Sequence, residues 1–130
     1  MAIAAAASWH VAHEAAVAVL AGDQASLIAH VAFETTAALS RMPEGQRLAP
    51  AVVLEWLQLR FGSRWLALPA PATRRALQTA VEQGIRGGAL YDALIAATAH
   101  HHRHTLISAD RRAAAAYTAL GVEVAYIVAG

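Results

Sequence analysis

A chain of 130 residues that is 58% hydrophobic and 15% charged can bury a core and is too apolar to stay disordered, so residues 1–130 read as one domain. The net charge is +1 and cysteine is absent; the total charge gives no argument for nucleic acid, and disulfides and thiolate metal sites are excluded. No apolar run is long and clean enough to span a bilayer, and the N-terminal MAIAAAASWHVAHE lacks the basic start of a signal peptide, so a cytoplasmic protein with no membrane partner is expected.

Residues 4–20 place small and apolar side chains at helical spacing, and Gly22 stops them. SLIAHV, residues 26–31, is short and β-competent after the turn-like Gly22-Asp23-Gln24. Helical character returns over 33–42 and breaks at Pro43, Glu44 and Gly45. Pro50 opens the next helix, which AVVLEWLQLRF carries to Phe61. WLAL, residues 65–68, predicts a brief strand. Residues 72–83 predict a helix with Leu77 and Val81 one turn apart.

The run GGALYDALIAATAHHHRHTLISAD follows. It predicts a helix over 89–101 with Leu90, Leu94 and Ala97 on one face, then a strand over 105–108. A helix over 111–120, closed by Gly121, and a strand over 123–128 complete the chain. Short, continuously apolar strands alternating with helices predict an α/β fold. Its sheet is mostly parallel, with helices on both faces in a three-layer αβα arrangement. In such sheets function gathers at the carboxyl ends of strands.

The only Asp residues are Asp23, Asp92 and Asp110. Asp23 reads as a solvated turn residue. Asp92 opens a helix, where it would complement the helix dipole. Asp110 follows a strand and would serve as the N-cap of the next helix. A right-handed crossover puts that helix start and that strand end on one side of the sheet. Glu34 has the same placement after SLIAHV, at the start of its helix. Carboxylates gathered on one rim repel, so a hard divalent cation is their natural partner. Glu14, Glu55 and Glu82 read as solvated helix positions; Glu44 falls in a loop and Glu123 begins the last strand.

His100, His101, His102 and His104 suggest a transition-metal site, but neighbours on a helix point apart and a dipole-favoured helix end explains them more simply. His10 and His13 are one turn apart with no second half-site. His30 ends its strand near Glu34 and borders the expected pocket. Gly84-Ile85-Arg86-Gly87-Gly88 matches neither the dinucleotide nor the P-loop spacing, so a helix break outweighs a nucleotide-binding reading.

The order of Glu34 in a helix, Asp92 in YDALIAATA and Asp110 in LISADRRA, then a closing strand after Leu120-Gly121-Val122, resembles the PIN domain. The likeness is greatest to VapC-type ribonuclease toxins of toxin–antitoxin pairs. The resemblance implies hydrolysis of phosphodiester bonds in structured RNA, with Mg²⁺, or Mn²⁺ in its place, held by Glu34, Asp92 and Asp110. It puts Ser108 beside the last acid as a supporting residue. Arg111 and Arg112 are either RNA backbone contacts or a solvated face. A small VapB-like antitoxin and a homodimer are the implied protein partners.

The family opens with a strand that ends in a further acid. Here Met1-Ala2-Ile3-Ala4 reads as the start of the helix that follows it. Two expectations compete. Either the strand and its Asp are encoded upstream of Met1, or the chain is a truncated, inactive PIN-like module that binds RNA or an antitoxin without cutting. The first is preferred, because losing a central strand leaves two inner sheet edges unpaired while the rest of the chain stays coherent. Under the second expectation, with residues 1–130 as the whole product, weak stability and little or no nuclease activity follow.

Overall fold

The computed structural model describes residues 25–127. The expected first helix, with Gly22, His10, His13, Glu14 and Asp23, lies outside the described residues. The chain divides into two compact units, Met1–Trp65 with Ile127–Gly130 and Leu66–Tyr126.

In the first unit, β1 (Leu27–Ile28) runs straight into α1 (Ala29–Ser40). Leu27 N–H donates to the Arg64 carbonyl at 2.8 Å, just ahead of β2 (Trp65–Leu66), and Arg64 Nε donates back to the Ala25 carbonyl. Strand character thus stops at Ile28, short of the expected Val31. Ala29, His30 and Val31 join the helix instead.

α1 buries Ala32, Thr35 and Leu39, and α2 (Pro50–Phe61) buries Val53, Leu57 and Phe61. Both sets recur at three- and four-residue steps, so each forms one stripe, and the stripes meet. Pro50 sits in the first turn of α2, where its missing N–H costs nothing. At the other end Gly62 takes φ +54° while its N–H caps the Gln58 carbonyl. Leu27, Ala32, Leu39, Val53, Leu57 and Phe61 form the core, and the Trp56 ring meets Phe61 edge-on.

The second unit contains α3 (Ala70–Glu82), α4 (Ala89–His101), β3 (Leu106–Ser108), a 3₁₀ turn (Arg111–Ala113), α5 (Ala114–Ala119) and β4 (Val124–Tyr126). The expected helix over 111–120 is therefore a tight turn followed by a short helix. Gly87, at φ +63°, turns the chain into α4. Ile95, Ala96, Ala97, Thr98 and Ala99 are buried in succession. A helix buried on all sides needs small residues, which let α3, α5 and β3 approach it.

Leu77 and Val81 of α3 are exposed; Ala80 is the residue that α3 buries. β3 and β4 pair in parallel with Leu106 opposite Val124 and Ser108 opposite Tyr126. The α/β class with short strands is as expected. The strands are shorter than the apolar runs because backbone pairing extends over only two or three residues in each.

Leu39→Ala or Leu57→Ala, each removing a fully buried side chain, should cost about 2–5 kcal/mol in urea unfolding. Leu77→Ser, on an exposed position, should change stability by less than about 0.5 kcal/mol.

Candidate active site

β3 brings Ser108 to its carboxyl end, and Asp110 follows two residues later. Ser108 is buried, and its Oγ accepts the Asp110 backbone N–H at 3.0 Å. The Asp110 side chain caps the 3₁₀ turn: Oδ1 accepts the Arg112 N–H at 3.0 Å and lies 3.4 Å from Arg112 Nε. The N-cap expected of Asp110 is formed. It occupies one carboxylate oxygen and leaves Oδ2 without a hydrogen bond among the described residues. The Asp110 side chain is 46% exposed.

Ser108 also meets the hydroxyl of Tyr117 at 3.1 Å, in a buried contact. Tyr117 belongs to α5 and is itself buried. Its phenol pKa is pushed above the ordinary value, first by burial and then by the negative charges of Asp92 and Asp110, against a downward pull from Ser108. Asp92 lies in the first turn of α4, as expected. Sequence reasoning missed Tyr117. The available signal was a single polar-tipped aromatic in the AAAAYTAL run, since a buried tyrosine hydroxyl usually finds a partner.

The two arginines differ. The Arg112 side chain is 95% exposed. Arg111 places its guanidinium over the Tyr126 ring, 4.5 Å from the centroid.

Glu34 lies in the second turn of α1, not at its start, because the helix already begins at Ala29. The dipole role expected of Glu34 therefore lapses. His30 is helical and does not end a strand; its Nε2 is 2.8 Å from Glu34 Oε1, one turn away. In the histidine run, the His102 ring bonds to the Ala67 carbonyl at 2.8 Å and meets the His101 ring edge-on. Among the described residues no group of three or more His, Asp or Glu is gathered to hold a metal ion. A groove of about 470 Å³ between α3 and α4 is apolar, lined by Ala76, Leu77, Ala80, Leu90, Tyr91 and Leu94 among others, with no carboxylate in its wall.

The family model described as PIN domain matches residues 1–119. The chain belongs to the PIN domain family. Among curated proteins it is 42% identical over 118 residues to Ribonuclease VapC40 of Mycobacterium tuberculosis, in strains CDC 1551 / Oshkosh and ATCC 25618 / H37Rv. That match covers 91% of this chain and 87% of the relative. It is 39% identical to Ribonuclease VapC27 of strain H37Rv over 88% of this chain and 83% of that protein. No solved structure matches. The likeness to VapC-type PIN domains read from the sequence is met.

The donor chemistry of this PIN chain fits a hard divalent ion. Asp92 and Asp110 offer only oxygen, and the hydrogen bonds of the Asp110 carboxylate among the described residues fall on Oδ1. Mg²⁺ usually takes one or two carboxylates from a protein and completes its shell with water and phosphate.

The raised phenol of Tyr117 has a consequence for alkaline stability. Its neutral form is favoured by folding, so its contribution is complete below the unfolded value of 10.0 and is lost as pH climbs through the higher folded value. The urea midpoint should therefore fall more steeply above pH 10 in the parent than in Tyr117→Phe. Equal slopes in the two proteins would refute this.

Proposed function

We propose that the chain is a metal-dependent endoribonuclease, the toxin of a toxin–antitoxin pair, that hydrolyses phosphodiester bonds in structured RNA with Mg²⁺, or Mn²⁺ in its place. The observation that carries this reading is the PIN match over residues 1–119, with 42% and 39% identity to two VapC ribonucleases, in a chain whose half-exposed Asp110 follows the carboxyl end of β3.

Asp92 and Asp110 would hold the cation, with Glu34 as the third acid by its order in the chain. When bound, the cation supplies Lewis acidity toward the phosphate and lowers the pKa of a water. The chain's own groups do the rest. Ser108 fixes the backbone at Asp110, whose capped carboxylate stays half-exposed. Arg112, extended into solvent, suits a phosphate oxygen of the RNA backbone, and Arg111 stands beside it on Tyr126.

VapC membership also supports a small VapB-like antitoxin as partner, and a homodimer. Exposed Leu77, Val81 and Tyr91 give apolar surface for a partner to cover. No described helix is long and apolar enough to cross a membrane, and cytoplasmic RNA is the substrate pool this reading requires.

The test is cleavage of structured RNA by the purified chain with Mg²⁺. Asp92→Asn, Asp110→Asn and Glu34→Gln should each lower the rate more than about 100-fold, beyond the usual effect of altering a ligand's supporting partner, with the circular dichroism spectrum kept. Cleavage that persists in EDTA, or in both Asp variants, would overturn the assignment. Binding of RNA without cutting at any Mg²⁺ or Mn²⁺ concentration would make the chain a binding module instead.

A further inference from the structure

We propose that Tyr117 is a positioning residue for the carboxylate site: its hydroxyl fixes Ser108, and Ser108 fixes Asp110. This rests on the reading of Asp110 as a metal ligand.

The chain of contacts is short and dry. Tyr117 Oη lies 3.1 Å from Ser108 Oγ, and Ser108 Oγ accepts the Asp110 N–H at 3.0 Å. Tyr117 is 5% exposed and Ser108 7%, so water does not readily replace either partner. A serine hydroxyl is a rotor with two lone pairs and one hydrogen. One lone pair is taken by Asp110. Tyr117 takes either the other lone pair or the hydrogen, and both choices halt the rotor.

The need for such a stop follows from the local backbone. β3 ends at Ser108 after three residues, so the ladder does not reach Asp110. Asp110 itself sits at φ −100°, ψ 97°, between strand and turn. Its carboxylate is aimed by that backbone, by the cap to the Arg112 N–H and by the solvent-exposed Arg112 side chain 3.4 Å from the same oxygen, contacts that lie at the surface. The fixed reference is the buried hydroxyl pair. α5, which carries Tyr117, packs on α4, which carries Asp92. The same tyrosine thus ties the element bearing one acid to the turn bearing the other.

Tyr117→Phe removes one oxygen and keeps the ring, which separates positioning from core packing. The first measurement is Mn²⁺ binding by calorimetry, without RNA. Tyr117→Phe should weaken it about tenfold, as loss of a ligand's supporting partner does, and Ser108→Ala should do the same. The double variant should be no weaker than either single one, because both act through one path. The second measurement is hydrogen exchange of the Asp110 amide in the unaltered protein and in Tyr117→Phe. The unaltered amide should be protected, and the variant should exchange about tenfold faster there than its own core amides change, since the bond that protects it is loosened.

Additive losses in the double variant, parental Mn²⁺ affinity in Tyr117→Phe, or an unprotected Asp110 amide in the unaltered protein would each overturn the proposal. Should Tyr117→Phe fail to fold, the amide measurement on the unaltered protein still decides. If Asp110→Asn binds Mn²⁺ as the parent does, the metal reading itself falls, and that outcome is separate from a normal Tyr117→Phe beside a defective Asp110→Asn.

Discussion

A strand of three residues cannot hold its carboxyl end in place by ladder hydrogen bonds alone. β3 meets this constraint with a side chain: Ser108 is buried under α5 and bonds on one side to Tyr117 and on the other to the backbone of Asp110. The arrangement of the second unit follows. α5 has to lie against the end of β3 for Tyr117 to reach Ser108. α4 has to be narrow for α5 to lie that close, and its buried stretch of alanine, with Ile95 and Thr98, makes it so. Thr98 satisfies its own hydroxyl within the helix, on the Leu94 carbonyl, and makes no demand on its neighbours.

The first unit solves a different problem by simpler means. α1 and α2 each carry one apolar stripe, and the two stripes close a core of aliphatic side chains with Phe61 at its edge. Thr35 is buried with no hydrogen-bond partner for its hydroxyl among the described residues, while the neighbouring Thr36 returns its own to the Ala32 carbonyl. In the second unit the buried hydroxyls of Ser108 and Tyr117 meet, and Ser108 holds the Asp110 amide.

Much of this was legible in the sequence. The span of α4 was read to the residue, because a glycine break precedes it and a polar run follows it. Asp92 and Asp110 fell where the alternation of helix and strand put them. The strand read from SLIAHV failed in its second half, where Ala29, His30 and Val31 open α1, since β-competent residues also form a helix where its backbone bonds are available. That error moved Glu34 from a helix start to a second turn. Leu77 and Val81 have the right spacing for a buried face, yet α3 turns Ala80 inward; close packing on α4 selects the small side chain. Tyr117 was hidden for another reason. Its role depends on a hydroxyl meeting another hydroxyl across nine residues, and no periodicity encodes that.

The double duty of Asp110 sets a narrow chemical tolerance at that position. One oxygen serves the turn, and the carboxylate as a whole stays half-exposed. Alanine would lose both the cap and the charge. Asparagine would keep the turn, because its carbonyl caps as well as a carboxylate does. Glutamate would keep the charge but carries it one methylene too far to close the same ring with the Arg112 amide. Reach therefore matters at this position as much as charge, and a substitution that seems conservative by charge would be the one that unties the backbone.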